Sequence, residues 1–172
     1  MAEIRRADDR DATTIALLGR ITFTETFGHL FRDHACDLRV YLDATFDVAK
    51  VAVSLNKPEN AYWLALKGGL PVGYAKLKHP SSPPGCAAQE GAQLQKIYVL
   101  REFLGARIGD DLLAPLMKTA AARSSFVWLD VLRENDRAIR FYERQGFASI
   151  GEDTYTIGAQ RFLFALMARS TR

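Results

Sequence analysis

Residues 126–147 read FVWLDVLRENDRAIRFYERQGF, and this is the most specific pattern in the chain. The apolar run at residues 126–131 is typical of a buried strand. Asn135 is suited to cap a helix, because its side-chain oxygen can accept a hydrogen bond from a free N–H of the first turn. The helix is predicted to end at Gly146, since glycine readily adopts the left-handed conformation found after many helices. The stretch therefore predicts a strand, a capped helix and a glycine stop.

A second pattern lies upstream, where residues 93–100 predict a strand and residues 108–120 a helix. The connection between them, residues 104–109, reads LGARIG. A glycine-bearing turn from strand to helix exposes backbone N–H groups at the helix N-terminus, and such groups bind phosphate well. The turn has neither the Gly-Lys-Ser/Thr of a Walker loop nor the full dinucleotide fingerprint. A tight connection without a ligand is the alternative for Gly105 and Gly109.

The rest of the chain completes an α/β pattern with a mixed sheet, expected as a single domain over residues 1–172. Neither an internal repeat nor a linker interrupts it. The other expected elements are a first strand at 4–7, mostly helix over 8–55 with breaks near 28–29 and 33, a hairpin over 61–78, a loop over 79–85 and a closing hairpin over 155–167.

Composition narrows the classes of partner. The 172 residues are 48% hydrophobic and 25% charged, with a formal charge of +3, which excludes disorder and gives no argument for nucleic acid or an anionic membrane. No apolar run approaches the roughly 20 residues of a membrane span. The charged N-terminus argues against a secretory signal, so we expect a cytoplasmic protein. Cys36 and Cys86 are expected as unpaired thiols, and no cysteine or histidine spacing indicates a metal site.

The order of these elements resembles the GCN5-related N-acetyltransferase (GNAT) family, over most of the chain. The most specific match is Asn135-x-x-Ala138-x-x-Phe141-Tyr142-x-x-x-Gly146-Phe147. The resemblance implies a GNAT fold: a mixed, mostly antiparallel sheet of about six to seven strands, splayed in the middle, with helices on both faces. Several segments also resemble the bacterial polyamine N-acetyltransferases, namely Thr26-Phe27, Tyr41-Leu42-x-x-x-Phe46, Gly73-Tyr74-x-Lys76-Leu77, Trp128-Leu129, Gly158-x-Gln160 and Leu166-Met167.

The resemblance also implies a set of residues that bind acetyl-CoA. Backbone groups in the segment Ile97, Tyr98 and Val99 would pair with the pantetheine arm as a missing strand would. Asn135 would reach the same arm. Tyr142 would face the sulfur and act as the catalytic acid. The remaining implied contacts are to phosphate: the turn formed by Leu104, Gly105, Ala106, Arg107, Ile108 and Gly109 would hold the pyrophosphate, and Arg144 would approach the phosphates.

The glycine turn departs from the family pattern. Arg107 stands where the family usually has glycine, and Leu104 replaces a polar residue. Arg107 would either add a charge-assisted contact to phosphate or be strained in a conformation that glycine adopts more easily. Pro115 is a further irregularity, since a proline inside a helix is expected to kink or unwind it.

The proton acceptor is a second departure. Relatives often carry glutamate where this chain has Gln93 and Gln95, and an amide cannot act as a base. The acceptor amine would then lose its proton through ordered water or arrive unprotonated. Three other side chains are candidate substitutes: Glu25, Glu90 and His79.

Together, the residues and the resemblance predict an acyl-CoA-dependent N-acyltransferase. Its expected reaction moves the acetyl group of acetyl-CoA to the primary amine of a small molecule, by direct attack and without a metal. A polyamine is one candidate acceptor, favoured by carboxylates at Asp33, Asp37, Asp43, Asp47, Glu152 and Asp153. A non-catalytic acyl-CoA-binding module and a protein-directed N-acetyltransferase are the alternatives. Whether two copies form a homodimer is left open.

Overall fold

The computed structural model of the chain describes residues 2–86 and 89–172. Its strands are β1 (Glu3–Arg6), β2 (Asn60–Lys67), β3 (Leu70–Ser81), β4 (Gly91–Val99), β5 (Phe126–Leu132), β6 (Ala148–Ile157) and β7 (Gln160–Ser170). Its α-helices are α1 (Ala12–Phe27), α2 (Ala35–Thr45), α3 (Val48–Leu55), α4 (Ile108–Ala121) and α5 (Asp136–Arg144). Within the described residues, seven strands form one mixed sheet in the order β1-β2-β3-β4-β5-β7-β6. This confirms the predicted α/β class.

Two compact units make up the chain, and the first comprises residues 1–77 and 96–116. In this unit β1 pairs antiparallel with β2, from Glu3 opposite Leu66 to Arg6 opposite Trp63. The apolar face of α1 packs into a core with Tyr62, Leu64 and Tyr74, to which Ile15 and Leu18 contribute. Burial of these large side chains stabilises the unit, at roughly 1.5–3 kcal/mol for each aliphatic or aromatic residue.

Carboxylates cap the short 3-10 turn at residues 9–11, which leads directly into α1. The Asp8 side chain accepts from the Arg10 N–H, and the Asp11 side chain accepts from the Asp8 N–H, so the two form a reciprocal capping box. Asp11 also receives two hydrogen bonds of 2.7 Å from the Arg5 guanidinium. The helical turn at residues 9–11 thereby ties β1 to the start of α1.

The second unit comprises residues 78–95 and 117–172. Its strands β5 and β7 pair antiparallel from Phe126 opposite Ser170 to Leu132 opposite Phe164, and β6 pairs with the other edge of β7. The described ladder between β4 and β5 is parallel and joins Ala92 to Val127 and Gln93 to Trp128. The closing hairpin is confirmed, with longer strands than the sequence predicts. The expectation of a single domain over residues 1–172 stays a prediction.

The sequence prediction fails at one of the loops. The predicted loop at residues 79–85 is wrong at its start, because β3 continues through Ser81, whose carbonyl oxygen accepts from Trp128 Nε1 at 3.1 Å. Pro115 lies inside α4, which continues on both sides of it, and the predicted kink at this proline stays a prediction. The helix buries Leu112, Leu113 and Leu116 completely. Three buried leucines contribute more than the roughly 3 kcal/mol that an interior proline costs.

Candidate active site

The glycine turn, residues 104–109, lies in the first unit and leads into α4. Gly105 has a φ of +87° and Arg107 a φ of +62°, so the backbone twice enters the left-handed region. The first helical hydrogen bond joins the Asp111 N–H to the Arg107 carbonyl at 3.0 Å. The N–H groups at the very start of a helix have no partner inside it, and a left-handed residue beside them shapes a concave anion site. The turn therefore has the backbone form that a phosphate needs.

Arg107 is the one non-glycine residue at positive φ among the described residues. A left-handed conformation costs an ordinary L-residue roughly 1–2 kcal/mol. The Arg107 side chain is exposed, which leaves its guanidinium accessible to an anion. Both consequences foreseen for this substitution, strain and an available charge, are thus present together.

The segment Ile97, Tyr98 and Val99 forms the end of β4 in the first unit. The Leu100 N–H donates to the Val72 carbonyl of β3 at 2.9 Å, and a Cβ on Gly73 would lie 2.6 Å from the Tyr98 carbonyl oxygen. Tyr98 and Leu100 therefore direct their backbone groups toward β3. Because alternate residues of a strand point to opposite edges, the backbone groups of Ile97 and Val99 point away from β3. This is the orientation that pairing with a pantetheine arm requires.

Asn135 lies in the second unit and begins α5. Its Oδ1 accepts from the Ala138 N–H at 3.1 Å, so the capping role predicted from the sequence is confirmed. The cap uses the oxygen of the amide, and a ligand would have to meet the Asn135 NH₂ group. Binding of the pantetheine arm by Asn135 stays a prediction.

Tyr142 lies two turns further along α5 and is 8% exposed. Its ring packs between those of Phe141 and Phe147, with centroids 5.2 and 5.7 Å away. Burial, together with the nearby Asp130 carboxylate, raises the pKa of the Tyr142 phenol well above its usual value. Within the described part of the chain, no hydrogen bond engages its hydroxyl. A phenol with a raised pKa stays protonated at neutral pH, so it can give its proton to a strongly basic group.

The structure divides the predicted site residues between the two units. The β4 segment and the glycine turn belong to the first, while Asn135, Tyr142 and Arg144 share one helix of the second. Arg144 is exposed in the last turn of α5. Its approach to phosphate stays a prediction.

Asp130 and Gln93 form a pair that the sequence analysis did not identify. Gln93 Nε2 donates to Asp130 Oδ1 at 3.0 Å, and the Ser81 hydroxyl donates to Gln93 Oε1 at 3.3 Å. Ser81 is in turn held through its carbonyl by the Trp128 indole. The available signal was the single carboxylate of the apolar strand FVWLDVL, since charged residues are rarely placed in such strands without a partner or a role.

The three candidate bases lie in different settings. The Glu25 carboxylate accepts from the Arg101 N–H at 2.9 Å, so it already serves the turn that follows β4. Glu90 is exposed ahead of β4, and His79 is half-buried within β3. The Tyr142 phenol has its pKa raised first by burial and then by the charge of Asp130.

Two further observations concern other kinds of site. Within residues 2–86 and 89–172, no group of three or more His, Cys, Asp and Glu side chains is arranged to hold a metal ion. None of the helices in this part of the chain combines the length and the hydropathy that crossing a membrane requires. Cys36 and Cys86 are both exposed and unpaired.

Comparison with known proteins identifies the family to which these features point. The sequence pattern of the Acetyltransferase (GNAT) family matches residues 23–147. An uncharacterized N-acetyltransferase of Mycobacterium tuberculosis is 32% identical over 120 residues, which are 69% of this chain and 72% of that protein.

Two solved structures share the fold. A GCN5-related N-acetyltransferase from Rhodopseudomonas palustris superposes with a TM-score of 0.75 at 23% identity, over 99% of this chain and 96% of that one. The PaiA N-acetyltransferase from Thermoplasma acidophilum, in complex with coenzyme A, does so with a TM-score of 0.75 at 17% identity, over 99% of each chain. The family match, the M. tuberculosis relative and this shared fold agree, and the chain therefore belongs to the GNAT family of acetyltransferases.

Proposed function

We propose that this acetyltransferase moves the acetyl group of acetyl-CoA to the primary amine of a small molecule. One observation carries the proposal: the buried phenol of Tyr142, with an unused hydroxyl, lies on the helix that matches the family pattern. A thiolate that leaves a thioester needs a proton, and Tyr142 holds one at neutral pH. The coenzyme A complex of the T. acidophilum protein of the same fold supports the choice of acetyl donor.

Binding of acetyl-CoA is proposed to use backbone groups more than side chains. The N–H groups of the turn 104–109 would bind the pyrophosphate, with the exposed guanidinium of Arg107 adding charge. Ile97 and Val99 would pair with the pantetheine arm through the groups that they direct away from β3. Asn135 would contribute its NH₂ group to the arm, and Arg144 a contact to phosphate.

The chemistry is proposed to be a direct transfer. The amine lone pair attacks the thioester carbonyl carbon, the C–N bond forms, and the C–S bond breaks as the tetrahedral adduct collapses. A backbone N–H of β4 would stabilise the oxyanion of that adduct. Tyr142 would protonate the departing sulfur.

A polyamine acceptor is a finer proposal. Several of the carboxylates that suggest it already have partners: Asp43 pairs with Arg20 at 2.8 Å, and Asp47 caps α3 by accepting from the Lys50 N–H at 2.8 Å. Glu152 lies 3.5 Å from Arg133. Asp153 accepts from the Thr154 N–H at 2.8 Å, so Asp33 remains as the better candidate to meet a second ammonium group.

The test is a panel of amines offered with acetyl-CoA, read by release of free thiol and by detection of the acetylated product. The panel holds spermidine, monoamines, amino acids and a peptide with a free N-terminus. Transfer to a small amine supports the proposal. Transfer to the peptide alone points to a protein-directed enzyme, and acetyl-CoA binding without transfer to any acceptor points to a binding module.

A further inference from the structure

The segment that leads from β4 into the glycine turn is capped by a residue of a distant helix. Glu25, in the last turn of α1, accepts a hydrogen bond from the Arg101 N–H through Oε2 at 2.9 Å. Arg101 begins a 3-10 turn, Arg101–Phe103, directly after β4. The preceding residue, Leu100, has an apolar side chain that cannot accept a hydrogen bond from this turn. Glu25 therefore supplies, from 76 positions away, the cap that the local sequence lacks.

The contact between Glu25 and Arg101 runs in both directions. The Arg101 guanidinium donates to the Glu25 carbonyl, which belongs to the last turn of α1. Carbonyl groups in the last turn of a helix lack a partner inside it, and their partial negative charge favours a cation. Each element thus caps the other, and two charge-assisted hydrogen bonds fix the end of α1 against the start of the 3-10 turn.

The buried side of α1 directs Glu25 toward this turn. Glu25 follows Thr22 by one helical turn and Leu18 by two, so the three residues lie on the same side of the helix. Thr22 and Leu18 are both buried. Leu18 belongs to the core against which Tyr98 and Leu100 are packed. The Glu25 side chain therefore leaves α1 on the side that meets the end of β4, from a backbone that core packing holds in place.

Backbone hydrogen bonds connect the capped turn to the glycine turn, residues 104–109. The Leu104 N–H donates to the Arg101 carbonyl at 3.1 Å, and the Ala106 N–H donates to the Phe103 carbonyl at 3.3 Å. The first half of the glycine turn is thus bonded to the 3-10 turn that Glu25 caps. A loop that is already held in its binding conformation loses less entropy when its ligand binds, and so it binds more tightly.

We propose that Glu25 is a positioning residue for acetyl-CoA, and that its carboxylate holds the glycine turn in the form that binds the pyrophosphate. The inference rests on the proposed function, because that function assigns the pyrophosphate to this turn. Glu25 was one of three candidate proton acceptors in the sequence. The hydrogen bond to the Arg101 N–H gives its carboxylate a different role.

The first test measures the acetyl-CoA Kd of Glu25→Ala by isothermal titration. The substitution removes the acceptor of the Arg101 N–H, so we expect Kd to rise by about tenfold. Loss of a negative charge near a phosphate site would by itself lower Kd. Glu102→Ala, which removes an exposed carboxylate from the same 3-10 turn, is the matched control for charge. Its Kd should not rise by more than about twofold.

A donor without phosphates separates positioning of the turn from a general structural defect. S-acetylpantetheine keeps the thioester and the pantetheine arm but lacks the pyrophosphate. On an amine that the wild type acetylates, kcat/KM of Glu25→Ala for this donor should stay within about twofold of wild type, since no contact that the donor makes is removed. An equal loss with both donors overturns the proposal, and so does an unchanged acetyl-CoA Kd.

Glu25→Gln distinguishes a cap from a proton acceptor. The amide keeps an oxygen that can accept from the Arg101 N–H, whereas it cannot act as a base. A capping role predicts that Kd and kcat both stay within about threefold of wild type. A fall of kcat by roughly 10²–10⁴-fold, as removal of a general base produces, overturns the proposal.

A further variant decides the matter if Glu25→Ala does not fold. Glu25→Asp keeps the charge and withdraws the carboxylate by one methylene group, and we expect the acetyl-CoA Kd to rise by about three- to tenfold. An unchanged Kd in this variant overturns the proposal. If the wild type binds acetyl-CoA but acetylates no amine, the proposed function fails, while the acetyl-CoA Kd values still test this inference. If the wild type does not bind acetyl-CoA, both fail.

Discussion

The phenol of Tyr142 has two possible roles, packing between Phe141 and Phe147 or proton donation. Tyr142→Phe separates them, because it keeps the ring and removes only the hydroxyl. We expect kcat to fall by roughly 10²–10⁴-fold, with little change in acetyl-CoA affinity, since the hydroxyl acts only as sulfur departs. Steady-state kinetics and isothermal titration measure the two effects. A loss below about threefold, where chemistry limits the rate, would contradict the assignment.

The pH dependence of the wild type gives the same residue a second test. The pKa of Tyr142 is raised by burial and by Asp130, so the phenol loses its proton only well above the usual value of about 10. A donor must be protonated to act, and raising its pKa therefore extends activity toward higher pH. We expect no fall in kcat from loss of this proton between about pH 8 and pH 10. A fall centred near pH 9 would show that the donor is another group.

Arg107 combines a strained backbone with an accessible charge. Two substitutions measure these two effects separately. Arg107→Gly relieves the left-handed conformation, so we expect it to raise the free energy of unfolding by up to about 1 kcal/mol, measured by urea denaturation. Arg107→Ala keeps the strain and removes the charge. It should weaken acetyl-CoA binding more at low salt than at high salt, because salt screens an exposed charge pair. An unchanged Kd in both variants would show that the guanidinium does not meet the cofactor.

At the scale of the element, the start of α1 depends on Asp11. This carboxylate accepts two bonds from Arg5 and one from the Asp8 N–H, and the hydrogen bonds from Arg5 lower its pKa below the usual value. Asp11→Ala should lower the free energy of unfolding by roughly 1–3 kcal/mol, because a helix cap and a charge-assisted pair are lost together. Asp9→Asn, at an exposed neighbour, is the control and should change it by less than about 0.5 kcal/mol.

The sign of the pH effect follows from the direction of the shift. A carboxyl with a lowered pKa in the folded state stabilises the protein above its unfolded pKa of about 3.9, and that contribution disappears as pH falls through the folded value. The stability difference between wild type and Asp11→Ala should therefore be full at pH 6 and shrink below about pH 4. Urea denaturation across that range measures it, and a difference independent of pH would contradict the ionic part of the assignment.

The strand β3 shows how one element is extended by a distant one. The residues after Lys78 include Pro80 and Pro83, which locally favour a loop, yet the strand continues to Ser81. The Trp128 indole, 47 residues away, donates to the Ser81 carbonyl, and the Ser81 hydroxyl donates to Gln93. A local window contains none of these partners, and so it cannot predict where the strand ends.

For the whole molecule, ligand binding should be visible as stability. A ligand that binds only the folded chain stabilises it by about 2.7 kcal/mol at roughly 100 times its Kd. Acetyl-CoA should therefore raise the melting temperature, and titration should give about one ligand per chain. Absence of both the heat of binding and the thermal shift would remove acetyl-CoA as the donor.

The sequence alone determined the elements and the family. Local chemistry was sufficient for the Asn135 cap and the closing hairpin, because each depends on residues a few positions apart. The spacing from Asn135 to Tyr142 and the glycine stop also indicated the GNAT family before any contact was known.

Only the tertiary structure decided which side chains are hydrogen-bonded to each other across strands. Gln93 and Asp130 are 37 residues apart, and their hydrogen bond exists because a parallel ladder sets β4 beside β5 in one register. In the sequence, Gln93 stands where relatives often have glutamate. Asp130 is a charged residue in an otherwise apolar strand. Likewise, α4 continues through Pro115 while it buries Leu112, Leu113 and Leu116 in the core. No local pattern records which groups meet across strands, so only the fold shows that Gln93 and Asp130 are hydrogen-bonded.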